Sequence, residues 1–197
     1  MTFETADLAD LVRAREGHFR FESGHHGSLW LDLDALFLRP SAVAPHARRL
    51  GRLIAGHGVE VVCGPWSGGA FLAQMIAEQL DLSFVYSQPD PEVDANPLYS
   101  RGYTISAAFQ SQLGGKRVAV VDDVINAGSA VTATLSALTA ANAHPVVVAS
   151  LMTLGQTGRR RIAERGLVME SLEAREHQLW SGDQCPLCAR HIELESF

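Results

Sequence analysis

The chain has 197 residues, of which 47% are hydrophobic and 19% charged, so it can bury one sizeable core and is neither a disordered nor a fibrous polymer. A net charge of −6 argues against a general nucleic-acid surface, and the apolar runs are strand-sized, which excludes a transmembrane helix. Three cysteines, an odd number, do not make a disulfide framework and point to a reducing cytoplasm. The acidic N-terminus lacks the basic and apolar regions of a signal peptide.

In chain order, Leu8, Leu11, Val12 and Ala14 predict a short amphipathic helix starting near Thr5 or Asp7. From Gly17 to Asp34, Phe19/Phe21 and Trp30/Leu31/Leu33 alternate around Ser23-Gly24, which predicts a hairpin. A helix over 42–56 turns Val43, Ala47, Leu50, Leu53 and Ile54 inward and closes on Gly56. Glu60 to Cys63 reads as a buried strand, with Cys63 a small buried hydrophobe and not a nucleophile. It runs into Gly64-Pro65-Trp66-Ser67-Gly68-Gly69 and a helix with Leu72, Met75, Ile76 and Leu80 inward. Ser83 to Ser87 is a third strand, and the proline- and acid-rich segment from Gln88 to Tyr99 is a flexible loop.

Val118 to Val121 is a continuous apolar run, as in a parallel strand covered on both faces, and it ends in Asp122 and Asp123. After Val124 and Ile125 comes Asn126-Ala127-Gly128-Ser129-Ala130, then a helix with Val131, Leu135, Leu138 and Thr139 on one side; the simpler account of this turn is a helix N-cap at Asn126 or Ser129. A fourth strand over 145–151, a short basic helix over 158–165 and a last strand over 167–172 complete the core. This alternation predicts an α/β fold, an open parallel sheet flanked by helices: a hood over 1–40, a core over 41–175 and a tail over 176–197.

Strand, glycine-rich turn and helix occur twice, at 60–69 and at 118–130, and each such unit points unpaired amides and the positive end of a helix dipole at an anion. Two carboxylates beside the second turn suit ribose hydroxyls and a hard cation such as Mg²⁺. The simpler account is a solvated strand end and an ordinary helix start, which two such units in this order outweigh. In the tail, Cys185-x-x-Cys188-x-x-His191, with His177 as a fourth candidate, offers half a zinc site. Packing of the tail is the expectation there, ahead of zinc or redox chemistry.

D-D-V-I-N-A-G-S-A resembles the phosphoribosyl pyrophosphate signature of the type I phosphoribosyltransferases, and most of all the D-D-V-I-T-A-G-T-A form of the orotate branch. Asn126 and Ser129 stand where Thr is usual. G-H-F-R-F-E-S-G-H-H-G-S is similar to the hood of longer orotate enzymes, in which a G-H-F-x-x-x-S-G-x-H-S pattern accommodates His18 and His26. C-P-L-C tails occur in those longer members too. One departure is Glu22, where many orotate enzymes carry a substrate-facing Lys. Another is the loop at 88–99, which lacks the Lys and His that many present to the breaking bond.

The resemblance implies transfer of 5-phosphoribosyl from phosphoribosyl pyrophosphate to a base, with orotate favoured, in a cytoplasmic Mg²⁺-dependent homodimer of pyrimidine biosynthesis. By the same resemblance Asp122 and Asp123 hold the ribose hydroxyls and order the water shell of Mg²⁺, and Asn126, Ala127, Gly128, Ser129 and Ala130 bind the 5′-phosphate. Gly64, Pro65, Trp66, Ser67, Gly68 and Gly69 bind pyrophosphate, while Phe21, Ser23 and Gly24 meet the base. Arg101 either closes over the site or simply opens the next strand. The alternatives are another acceptor base, or a non-catalytic regulator that binds phosphoribosyl pyrophosphate.

Overall fold

The computed structural model describes residues 8–21, 24–90 and 102–195. Helix α1 spans only Leu8–Leu11, because strand β1 (Arg13–Arg20) already begins two residues later. Ala14 therefore lies on a strand and not on the expected helix, and Thr5 and Asp7 lie outside the described residues. Strand β2 (His26–Asp32) pairs antiparallel with β1 in the expected hairpin, with Phe19 opposite Gly27 and Arg20 opposite His26. Ser23 and Glu22 lie outside the described residues.

Helix α2 (Pro40–Ala55) begins on a proline, whose missing N–H costs nothing in a first turn. It buries Val43, His46, Ala47, Leu50 and Ile54, whereas Leu53, expected inside, is exposed. Strand β3 (Val61–Pro65) leads into α3 (Gly68–Leu80), and β4 (Ser83–Pro89) follows. The part of the expected loop over 91–99, and Arg101, lie outside the described residues. A three-residue strand β5 (Tyr103–Ile105) opens just after Arg101 and Gly102, as one of the two readings of Arg101 has it, and an unforeseen one-turn helix α4 (Ala107–Gln110) comes next. Strand β6 (Arg117–Ile125) then feeds α5 (Ser129–Ala140), followed by β7 (His144–Leu154), α6 (Thr157–Ala163), β8 (Val168–Arg175) and α7 (Pro186–Ala189).

The main sheet runs β5-β4-β3-β6-β7-β8 and is parallel except for the edge strand β5, antiparallel to β4. That short edge strand is the departure from an all-parallel sheet. The apolar run of β6 splits by the pleat's two-residue period: Ala119 and Val121 pack with α2 and α3, while Val118 and Val120 pack with α5 and α6. A strand with helices on both faces needs apolar residues at every position, and that is why no alternation is visible in it. Chain order reverses between β3, whose successor β4 lies to one side, and β6, whose successor β7 lies to the other. In open α/β sheets the crevice at such a reversal, beyond the carboxyl ends of the strands, is where ligands bind.

The tail does not trail away from the core. Trp180 pairs with His26, Glu195 pairs with Phe19, and the Glu195 N–H donates to the His18 carbonyl at 2.8 Å. Among the described residues no helix is long and apolar enough to cross a membrane.

Candidate active site

The two glycine-rich turns follow neighbouring strands, so both open at the same crevice. A cavity of about 240 Å³ lies there, lined by Pro65, Trp66, Ser67 and Gly68 of the first turn, by Asp122, Asp123 and Ala130 of the second unit, and by Leu33, Phe37, Phe71 and Tyr103. Asp122 and Asp123 lie towards the carboxyl end of β6, as expected, but the strand does not stop at them and runs on to Ile125. The Asp122 carboxylate accepts from the Asp123 N–H at 3.1 Å, and Asp123 Oδ1 accepts from the Val124 N–H at 2.7 Å, so both acids are fixed by their own backbone. Asp123 is buried.

The acids touch the first turn directly. A Cβ on Gly68 would collide with Asp123 Oδ2, and a Cβ on Gly69 would stand 2.7 Å from Asp122 Oδ1. These glycines therefore serve a close approach of backbone to carboxylate. The Trp66–Ser67 peptide is cis, and the Trp66 N–H donates to the Ser87 carbonyl at 2.7 Å. Ser67 is the residue before α3, and no side chain caps that helix.

The second turn is also uncapped by side chains. Its cap residue is Gly128, in the left-handed region at φ 73°, and neither Asn126 nor Ser129, the caps of the simpler account. The amides of the first turn of α5 are thus left to a ligand or water. Val131, Thr134, Leu135 and Leu138 are the buried face of α5; Thr139 is exposed and bonds to the Leu135 carbonyl.

Sequence reasoning missed what braces this turn. Gly158 of α6 donates its N–H to the Asn126 carbonyl at 3.0 Å, and Arg161 donates to the Ala127 carbonyl at 3.1 Å. The three arginines at 159–161 gave a signal, but one of charge alone; that Arg161 reaches back to the turn depends on β7 returning α6 to the same sheet edge. Arg161→Met is expected to weaken binding of inorganic phosphate at this turn about 3–10-fold, as a calorimetric titration would report. That is the part of a charge-assisted hydrogen bond, about 1.5–3 kcal/mol, that survives solvent screening.

A second cavity, of about 230 Å³, lies under the hood between Phe21, Trp30, Leu31 and Leu33 on one side and Val124, Asn126 and Leu154 on the other. Leu33 lines both cavities, so they adjoin at that residue. Phe21 stacks near-parallel to Trp30 with ring centroids 6.1 Å apart, and His177 meets the Phe21 ring edge-on. Burial holds the His177 imidazole below its usual pKa, so it is neutral at pH 7. The Oδ1 of Asn126 is buried with no hydrogen-bond partner among the described residues. Gly24, in the left-handed region at φ 77°, donates its N–H to the Phe21 carbonyl and closes the hairpin turn. Cys63 is fully buried in β3 and its thiol is pushed up to about 12 by burial, which removes it from any nucleophilic role at neutral pH.

The zinc ligand set read from the tail needs correcting. His191 sits exposed on a left-handed turn, and His177 packs on Phe21. Neither belongs to the cluster that Cys185 and Cys188 do form, which is with His18 and His26 of the hood.

A family model described as the phosphoribosyl transferase domain matches residues 46–183. The chain is 28% identical over 180 residues to the orotate phosphoribosyltransferase of Thermotoga maritima, covering 91% of this chain and 89% of that one. It is 26% identical over 179 residues to the orotate phosphoribosyltransferase of Caldanaerobacter subterraneus, covering 91% and 87%. Similar solved folds include the adenine phosphoribosyltransferase of Thermoanaerobacter pseudethanolicus, with TM-score 0.68, 19% identity and coverage of 85% and 98%. The orotate phosphoribosyltransferase of Aeropyrum pernix gives TM-score 0.66, 20% identity and coverage of 82% and 87%.

Proposed function

The chain belongs to the phosphoribosyltransferase family, and we propose that it transfers 5-phosphoribosyl from phosphoribosyl pyrophosphate to orotate, giving orotidine 5′-monophosphate and pyrophosphate in pyrimidine biosynthesis. The observation that carries this reading is the pair of cavities that adjoin at Leu33. One has two uncapped helix starts and two acids, as a sugar phosphate requires, and the other is aromatic and walled by the hood, as a planar base requires. Orotate is favoured because the relatives that align over about nine-tenths of both chains, hood included, carry that name. The Asn126 amide oxygen, buried without a partner among the described residues, adds support: it is placed to accept from a ring N–H of a base.

In this reading the bond from the anomeric carbon to the diphosphate breaks while a bond to the ring nitrogen forms, and that nitrogen gives up its proton. Positive character grows on the ribose and negative charge on the departing diphosphate. Asp122 and Asp123 accept from the ribose hydroxyls and face the growing positive charge. The amides of Ser67, Gly68 and Gly69 take the diphosphate, and those of Ala127 to Ala130, with the Ser129 hydroxyl, take the 5′-phosphate. Pro65 and Trp66 shape the first turn, and Phe21 with Gly24 and Ser23 bounds the base. Arg101, outside the described residues, is assigned as the closing cation on sequence alone.

The acids fit Mg²⁺: they are hard oxygen donors set on rigid backbone beside a turn that admits no side chain. Asp122 and Asp123 would hold the ion through water, and when bound it supplies charge neutralisation for the diphosphate. Homodimerisation is proposed on the family resemblance; exposed Leu38, Trp66 and Phe71, the last two also lining the site cavity, are apolar surface it could cover. Free thiols at Cys63, Cys185 and Cys188 suit a cytoplasmic setting.

The test is pyrophosphate release from phosphoribosyl pyrophosphate and Mg²⁺ with orotate, uracil and adenine in parallel. Release with orotate alone is expected. The second reading, another acceptor base, draws on the adenine phosphoribosyltransferases among the similar folds. Release with adenine in place of orotate would establish it and end the orotate assignment.

A further inference from the structure

We propose that His18, His26, Cys185 and Cys188 form a tetrahedral zinc site that rivets the tail to the hood. The four donor atoms, His18 Nε2, His26 Nδ1 and the two sulfurs, all lie within 4.8 Å of one another. His18 Nε2 stands 3.2 Å from His26 Nδ1, 3.4 Å from Cys185 Sγ and 3.7 Å from Cys188 Sγ, and Cys188 Sγ stands 3.3 Å from His26 Nδ1. With Zn–N near 2.0–2.1 Å and Zn–S near 2.3 Å, a tetrahedron has edges of about 3.3 Å between nitrogens and about 3.6 Å between nitrogen and sulfur. The observed distances match those edges.

The protonation pattern favours a metal over a hydrogen-bonded cluster. His18 Nδ1 lies 2.7 Å from the Ile192 carbonyl, an acceptor only, so Nδ1 carries the proton and Nε2 presents its lone pair inward. One lone pair accepts one good hydrogen bond, yet three groups converge on it. The carbonyl bond to the outer nitrogen is also how metal-bound histidines are commonly oriented. His18, His26 and Cys185 are buried, where an unsatisfied polar cluster is costly. Two thiolates and two imidazoles are a soft, four-ligand set that closes the coordination sphere, which is the pattern of structural zinc. Binding releases the two thiol protons to water and leaves the site uncharged overall.

His18 and His26 flank the turn that carries Phe21 and Gly24, while Cys185 is the cap residue of α7 and Cys188 lies within it. The ion would thus hold the hood over the base cavity from outside it, independent of which base is bound.

The full chain, grown with zinc and desalted without chelator, should contain one zinc per chain by mass spectrometry of metals. Cobalt exchanged into the site should give the visible spectrum of a tetrahedral thiolate complex. Cys185 and Cys188 should resist alkylation until a chelator is added, and chelation should lower Tm. His191→Ala should keep full zinc, whereas His26→Gln and Cys188→Ser should lose it. Little metal in the parent chain with both thiols readily alkylated would overturn the proposal. So would a Cys185–Cys188 disulfide, or loss of zinc in His191→Ala. These readouts need no turnover, so they stand or fall apart from the orotate assignment.

Discussion

Asp123→Asn is expected to lower kcat/KM for phosphoribosyl transfer by about 10²–10³-fold, the range for removing one preorganised charge-stabilising group, while Tm stays within about 3 °C of the parent. The asymmetry of the side chain's surroundings sets this expectation. Oδ1 accepts from the Val124 N–H at 2.7 Å, and Oδ2 faces the glycine turn across Gly68. An Asn placed here keeps its one oxygen on Val124 and turns its NH₂ toward the turn. In the proposed reaction the acid would accept from a ribose hydroxyl; there the variant offers a second donor, and the negative charge that would face the developing positive ribose is gone. The fold barely notices, because the buried backbone bond survives. Kinetics with orotate and a thermal melt together check the claim. Near-normal turnover in a folded variant would remove Asp123 from the chemistry.

The core was legible in the sequence because β3 and β6 are buried on both faces and so announce themselves as unbroken apolar runs. Each is followed by glycine and then by a helical period. Their adjacency, and with it the crevice, followed from α/β topology more than from any residue. What escaped or stayed open was short or set by distant contacts. β5 has three residues and no pattern of its own; it exists because β4 offers an edge. Ala14 carries a helical period that pairing with β2 overrides. Leu53 shares the spacing of its buried neighbours on α2 but faces solvent.

The tail cluster shows the same limit more sharply. Cys185-x-x-Cys188 is a local signal, and proximity in sequence drew attention to His191 as the next ligand. The partners instead come from more than 160 residues away, since Cys188 and His26 are separated by 162 positions and Cys185 and His18 by 167. No periodicity in either segment encodes that meeting. It follows from the return of the chain beyond β8 to pair Trp180 with His26.

Gly64 and Gly68, on the two sides of the first turn, should respond differently to the same substitution. Gly64→Ala is expected to destabilise the protein by about 1–3 kcal/mol, the usual range for overpacking, and so to lower Tm by roughly 2–12 °C for a chain of this length. Its added Cβ would collide with the Gly69 carbonyl and stand 2.7 Å from the Ala70 nitrogen. Both are main-chain atoms in the first turn of α3, so no side chain can swing aside; β3 or the helix start must move. The Cβ of Gly68→Ala would instead meet a carboxylate, which can rotate away. That variant should melt near the parent but lose about 100-fold in turnover, because Asp123 is pushed from its position. If the two share one cause, combining Gly68→Ala with Asp123→Asn should cost little more than Asp123→Asn alone, a non-additivity read directly from a double-mutant cycle. Full additivity would mean that Gly68 acts on the diphosphate and not through Asp123. An unchanged Tm for Gly64→Ala would mean that strand and helix do not approach as closely as the structure has them.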